Sequence, residues 1–190
     1  MLCLTNRTVN LYRCTILAGF ARAVKMPVGC GYGWKAKGDE TMSKRAAGDD
    51  SKTARAVAEA MIGKCGLSQS LGMKIIDAGP KYSVVEMVLE DMHLNGFSIA
   101  HGGAVFALAD TAFAHACNSD NVVTVAQQCQ INFLQPGRAG DLLTATAKGR
   151  THSGRTGIYD VTITGSNGGV IAEFRGMSCR LRDPVIPDSD

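Results

Sequence analysis

The chain has 190 residues, of which 45% are apolar and 19% are charged, proportions typical of one globular domain with a substantial core. The net charge of +3 is concentrated at the N-terminus, because residues 1–38 contain Lys and Arg but no Asp or Glu, whereas residues 41–190 are close to neutral. The composition therefore argues against a nucleic-acid-binding surface built from a basic stripe, and no apolar run is long enough to span a membrane.

The first 41 residues form an irregular, basic segment that differs from the rest of the chain. Acid-poor composition of this kind is found in transit peptides, whereas Arg13 and Arg22 interrupt the apolar stretch that a secretory signal needs. A third interpretation, which we favour, is an extension upstream of a natural start at Met42. We expect residues 1–41 to be disordered, residues 42–182 to form one domain and residues 183–190 to be a frayed tail.

Seven cysteines are scattered along the chain without a C-x-x-C motif. Because their number is odd and their spacing irregular, they indicate reduced thiols of a cytoplasmic protein rather than a disulfide framework. His93 and His101 lack the neighbouring ligands of a zinc site, and Gly102-Gly103 is not part of a dinucleotide fingerprint. The sequence therefore predicts neither a metal nor a cofactor.

The first part of the domain reads as one helix followed by two strands. The helix is predicted over residues 50–64, where Ser51 can cap the start and apolar residues recur with a spacing of 3.6. Strands are predicted over residues 71–78 and 82–90, on either side of a turn at Gly79-Pro80-Lys81.

A polar, glycine-containing loop from His93 leads into the most apolar segment of the chain, residues 104–117. Fourteen residues exceed an ordinary strand, and the abundance of Ala favours a helix that starts near Gly102. A helix that is apolar on nearly every face must be surrounded by protein. Asp110 is then either a carboxylate at the edge of the core or a functional group kept partly buried for its chemistry.

Four strands are predicted after this helix, over residues 122–134, 142–150, 158–164 and from Val170 onward. In the last strand the apolar residues change from even to odd positions beyond Gly176. This change of phase predicts a β-bulge at or near Gly176. A single curved sheet of six strands could wrap the buried helix only in part, so we expect a second copy of the chain to complete the cover.

The loop and the start of the long helix resemble the active-site motif of the hotdog-fold acyl-CoA thioesterases. The matching residues are His93, Asn95, Gly96, His101, Gly102, Gly103, Phe106, Leu108, Ala109 and Asp110. Stretches within residues 108–118, 131–137, 139–147 and 156–160 resemble in particular the thioesterases of phenylacetic acid degradation. The resemblance covers residues 53–182.

The resemblance implies an α+β hotdog fold, in which an antiparallel six-stranded curved sheet wraps around one long buried helix. It also implies a homodimer with shared active sites, pairing again into a homotetramer. The implied substrate is an acyl-CoA, with hydroxylated phenylacetyl-CoA as its class. By position, Asp110 matches the catalytic carboxylate, Gly102 the oxyanion-hole amide, and Asn95 the polar residue that positions the thioester or water.

Residue chemistry agrees with these assignments. Asp110 could deprotonate water or attack the carbonyl itself, and both routes remain open. The Gly102 amide would lie at a helix N-terminus, which favours developing negative charge. Eight residues along one helix span about 12 Å at 1.5 Å per residue, so Gly102 and Asp110 of one chain cannot serve the same carbonyl. We therefore expect each site to take Gly102 from one chain and Asp110 from another.

Substrate binding is assigned to His101 and Gly103 in the matched loop and to Arg155 and Thr156 in a later turn. A turn that offers backbone N–H groups, a hydroxyl and a guanidinium suits the phosphates of CoA, and the alternative is that Arg155 is an exposed hairpin-turn residue. His101 is expected to fix the loop through hydrogen bonds. The alternatives to a thioesterase are a hotdog dehydratase acting on acyl thioesters and a non-catalytic acyl-CoA-binding module.

Overall fold

The computed structural model describes residues 47–187, with side chains from residue 50. The interpretation of residues 1–41 as an extension therefore lies outside the described residues. Three α-helices, one 3₁₀ helix and six strands follow in the order α1 (Ala47–Lys64), α2 (Gly66–Ser70), β1 (Lys74–Gly79), β2 (Tyr82–Val88), the 3₁₀ helix (Asp91–His93), α3 (Gly102–Cys117), β3 (Thr124–Phe133), β4 (Leu142–Ser153), β5 (Thr156–Thr164) and β6 (Val170–Arg180). No helix among these residues has both the length and the apolar character required to cross a membrane.

The six strands form one antiparallel sheet in the order β1-β2-β4-β5-β6-β3, which leaves β1 and β3 at its edges. Helix α3 packs against the buried face of this sheet. Small residues on that face, Ala145, Ala147 and Ala172, are fully buried and let the helix approach closely. Phe113 of α3 stands edge-on to Tyr159 at a centroid distance of 5.5 Å. The expected six-stranded sheet around one buried helix is confirmed.

The observed start of β1 differs from the sequence prediction. Residues 66–70 form the short helix α2, and Gly72 follows with a φ of +65°, so β1 begins at Lys74 instead of Leu71. The Met73 N–H donates to the Ser68 carbonyl and ends this turn. Five residues are too few to show helical periodicity, which is why the sequence did not reveal α2.

The bulge predicted in β6 near Gly176 is absent. The buried positions continue to alternate through Ala172, Phe174, Gly176 and Ser178. The nearest register shift lies in the partner strand β3, between Ala126 and Gln128, and the irregularity in β6 itself lies at Ile171, which is skipped in the pairing with β5. Residue 176 points inward, and it is a glycine because a Cβ there would come within 2.9 Å of the Phe113 ring. The apparent change of phase thus reflects the space that Phe113 requires.

The C-terminal tail remains attached to the domain beyond residue 182. The Asn121 side chain donates to the Ile186 carbonyl and accepts from the Ile186 N–H, both at 3.0 Å. The Val123 N–H donates to the Asp183 carbonyl at 2.8 Å. The frayed end expected over residues 183–190 therefore does not begin at residue 183.

Candidate active site

The N-terminus of α3 carries a backbone N–H group that the protein leaves unused. His101 caps the helix: its ring Nδ1 accepts from the Gly103 N–H at 2.9 Å, and its carbonyl accepts from Ala104 and Val105. The Gly102 N–H has no hydrogen-bond partner among the described residues. Because unpaired amides and the helix dipole favour negative charge, this group is suited to bind a developing oxyanion.

Close packing explains why two glycines occupy this position. A Cβ added to Gly102 would lie 3.2 Å from the ring of Phe133, and one added to Gly103 would lie 3.0 Å from the His101 ring. Side chains at either position would therefore crowd a neighbouring ring. The pair keeps the helix N-terminus open to a ligand.

Asn95 is fixed in the loop that precedes the helix. Its Oδ1 accepts from the Phe97 N–H at 2.8 Å and from the Ile99 N–H at 3.4 Å. This arrangement leaves the side-chain NH₂ group as a donor. Asn95 and Gly102 line the same groove, which has a volume of about 420 Å³. The structure therefore brings two of the predicted catalytic residues together within one protomer.

Asp110 lies two turns further along α3 and is half-buried. Burial raises the pKa of its carboxyl group, and no hydrogen bond or ion pair joins that group to the described residues. Its negative charge also contributes to raising the pKa values of the Cys117 and Cys129 thiols, for which burial is the larger cause. An ionised carboxylate in such a place is a stronger base than one in water.

Within one protomer, the groove and Asp110 are separate. Helix α3 is continuous from Gly102 to Cys117, so the eight residues between Gly102 and Asp110 span about 12 Å. Asp110 is not among the residues that line the groove. A thioester carbonyl at the Gly102 amide is therefore out of reach of the same chain's Asp110, as the sequence indicated.

A hydroxyl pair beside Asp110 was not found by sequence reasoning. The buried Ser68 of α2 places its Oγ 3.2 Å from the Oγ1 of Thr111, the residue next to Asp110, and 3.1 Å from the Sγ of Cys65. These contacts tie α2 to α3 next to the carboxylate. The sequence could have indicated these contacts only if α2 had been recognised, because Ser68 lies far from Thr111 along the chain.

Arg155 and Thr156 lie near the C-terminal end of α3, far from the groove. Arg155 donates from Nε to the Arg180 carbonyl at 2.7 Å, and its own carbonyl accepts from the Arg180 N–H at 2.7 Å. Both residues line a small cleft with Lys81 and Arg180, and Asp120 forms an ion pair with Arg180 at 2.7 Å. The cleft thus has a surplus of positive charge, but one protomer does not place it beside Gly102.

A buried helix against an antiparallel six-stranded sheet is the architecture of the hotdog fold, and in this protein the helix starts with an unpaired backbone amide. The model of the thioesterase superfamily matches residues 97–172. The chain is 45% identical over 132 residues to the acyl-coenzyme A thioesterase PaaI of Escherichia coli K12, an alignment that covers 70% of this chain and 94% of PaaI. This chain therefore belongs to the thioesterase superfamily and, within it, to the family of PaaI.

Solved structures agree with this membership. The E. coli PaaI structure, from the phenylacetic acid degradation operon, superposes with a TM-score of 0.69 at 43% identity, covering 70% of this chain and 97% of that one. A hypothetical thioesterase protein from Streptococcus pneumoniae TIGR4 solved with coenzyme A has a TM-score of 0.57 at 25% identity, covering 59% of this chain and 88% of that one. The family resemblance and the hotdog fold inferred from the sequence are confirmed.

Proposed function

We propose that this protein hydrolyses acyl-CoA thioesters to free acids and CoA, with phenylacetyl-CoA and its hydroxylated forms as the substrate class. The observation that carries the proposal is the unpaired Gly102 N–H at the start of α3, beside Asn95, in a chain of the PaaI family. The place of action is the cytoplasm, and no nucleic acid or membrane partner is involved.

In the proposed mechanism the thioester oxygen accepts a hydrogen bond from the Gly102 N–H, which stabilises the charge that develops on that oxygen. The Asn95 NH₂ group orients the thioester or the attacking water. Asp110 either removes a proton from that water or attacks the carbonyl carbon to form an anhydride, which water then opens. In both routes the C–S bond breaks, and the departing thiolate receives a proton as CoA.

Two protomers are needed because of the 12 Å separation along α3. On this helix a stripe containing Phe106, Ala107, Asp110 and Ala114 remains only partly buried, although three of its four members are apolar. The neighbouring edge strand β3 also leaves one side of its backbone without a strand partner in the protomer. We propose that a second copy covers this face, so that Gly102 of one protomer serves Asp110 of its partner, and that dimers pair again into tetramers.

The remaining predicted residues take supporting roles in the proposal. His101 and Gly103 hold the oxyanion amide in place through their mutual hydrogen bond. Arg155 and Thr156, with the basic side chains of the cleft, bind CoA phosphates. Residues 42–182 form the catalytic domain, and residues 1–41 are dispensable for catalysis.

Complementation between inactive variants tests the shared site. Asp110→Asn and a variant that removes the Gly102 N–H, Gly102→Pro, are each expected to lose most activity alone. When they are unfolded together and refolded in equal amounts, about half of the dimers are heterodimers, each with one intact site of two. Release of free CoA from phenylacetyl-CoA should then return to about one quarter of the parental rate.

A matched control comes from the groove itself. Because Asn95 and Gly102 of the same protomer line one groove, a mixture of Asn95→Ala and Gly102→Pro leaves one lesion in each heterodimer site and should not recover activity. Heterodimers of Asp110→Asn and Gly102→Pro that stay inactive would refute the shared site. A parent that binds acyl-CoA without releasing CoA would instead be a binding module, and one that hydrates an enoyl thioester would be a dehydratase.

A further inference from the structure

The groove beside the Gly102 amide has walls that are largely apolar. They include Ile99, Val105, Phe133, Leu134 and Ile171, and no Lys or Arg is among the residues that line the groove. The phosphates of CoA require cations, and its pantetheine arm has amides that require hydrogen bonds. Given the proposed function, the acyl group rather than the CoA moiety fits this groove.

One wall is an aromatic ring that borders the oxyanion position. The distal edge of the Phe133 ring faces Gly102, since three ring atoms would lie 3.2, 3.6 and 3.7 Å from a Cβ on that residue. A thioester oxygen bound at the Gly102 N–H lies near this ring, and the apolar lining of the groove favours the acyl carbons, rather than the sulfur and the pantetheine arm, on that side. An aryl group one methylene away from the carbonyl is within the distance at which aromatic rings stack.

The backbone holds this ring on a fixed support. Phe133 is the last residue of β3 and pairs with Ala172 of β6, and the next two N–H groups, of Leu134 and Gln135, both donate to the Ile171 carbonyl. Yet the Phe133 side chain is 55% exposed and that of Leu134 is 58% exposed. Within one protomer, therefore, this aromatic side chain lies on an anchored strand end and half open to the groove, where a ligand can contact it because the core does not enclose it.

We propose that Phe133 is a specificity-determining residue, whose ring stacks on the aryl portion of the acyl group and so favours arylacetyl over straight-chain thioesters. The inference rests on the proposed function. Leu134 contributes apolar area to the same wall without selecting for an aromatic ring. Phe133 takes no part in the chemical step, so its loss changes discrimination between substrates more than it changes catalysis.

The test compares kcat/KM for phenylacetyl-CoA and hexanoyl-CoA, both measured as released CoA thiol, in the parent and in Phe133→Leu. The leucine keeps the site apolar but removes the ring. The preference for phenylacetyl-CoA should fall roughly 3- to 10-fold, the factor that an aromatic pair supplies beyond its buried area. Phe133→Tyr, which retains the ring, should keep the parental preference.

Phe97→Leu is the matched control, because Phe97 is 86% exposed on the adjoining loop and does not line the groove. An unchanged preference in Phe133→Leu, or an equal change in Phe97→Leu, overturns the inference. The inference is also overturned if size-exclusion chromatography shows that Phe133→Leu loses the parental oligomer and Phe133→Tyr retains it. That result would assign the ring to a subunit contact. Should the leucine variant fail to fold, Phe133→Met carries the same expectation. A parent that hydrolyses neither substrate refutes the proposed function instead.

Discussion

The Gly102 N–H can be deleted by a single substitution that the local backbone accepts. Gly102 is the first residue of α3, a position where proline is favoured because its φ suits the helix and the N–H has no intrahelical partner. The preceding His101 has a φ of −65° and a ψ of 130°, the extended conformation that a following proline requires. Gly102→Pro therefore removes the proposed oxyanion donor without removing a hydrogen bond of the fold.

The expected loss follows from the role of that donor. Removing one oxyanion-hole donor lowers kcat by about 100- to 1,000-fold, which corresponds to about 2.7–4 kcal/mol of transition-state stabilisation. Gly102→Ala is the control, because it adds a Cβ in the same place, 3.2 Å from the half-exposed Phe133 ring, but retains the N–H. Since that ring can move by a few tenths of an ångström, the alanine variant should retain kcat within about tenfold of the parent.

Turnover of phenylacetyl-CoA, measured as released CoA, gives kcat for the three proteins, and circular dichroism with thermal melting establishes that each is folded. A folded Gly102→Pro protein with parental kcat would exclude this amide as the oxyanion donor. Equal losses in the alanine and proline variants would show that contact with Phe133, rather than the N–H, controls the rate.

Four further outcomes are expected. Asp110→Asn should lower kcat by roughly 100- to 10,000-fold, and near-parental turnover in the folded variant would remove Asp110 from the mechanism. The same substitution also tests whether burial of the Asp110 carboxyl group, which raises its pKa, lowers the stability of the parent at neutral pH. Because the pKa of this carboxyl group is higher in the folded than in the unfolded state, its contribution to stability is fully present below the unfolded-state pKa and is lost as the pH rises through the folded-state pKa. At pH 7 the melting temperature of Asp110→Asn should therefore exceed that of the parent. The difference in melting temperature should vanish in acid. Arg155→Ala should raise KM for CoA thioesters more than it lowers kcat, and it should leave the kinetics of a pantetheine thioester unchanged. Equal losses with the CoA and pantetheine thioesters would assign Arg155 a structural role, through its hydrogen bond to the Arg180 carbonyl. Deletion of residues 1–41 should leave turnover and the size-exclusion profile unchanged, and an insoluble or inactive product would place that segment within the fold.

The site could be predicted from the sequence to the extent that it is local. His101, Gly102 and Gly103 are consecutive, so the cap and the open amide follow from helix geometry, and the distance to Asp110 follows from the rise per residue. Contacts between distant segments could not be read in this way. The Phe133 ring meets Gly102 across the end of the sheet, and Ser68 meets Thr111 across two helices.

The sequence by itself determined the buried helix and the glycines at its capped N-terminus, because periodicity, capping and glycine placement act over a few residues, and the resemblance to the hotdog thioesterases gave the class of fold. Only the tertiary structure decided the course of β6, where Gly176 makes room for the Phe113 ring instead of marking a bulge. It also decided that the groove beside Gly102 is apolar and that Asp110 stands apart from it. Packing between elements is a property of shape and distance, which a linear pattern of apolar residues does not contain.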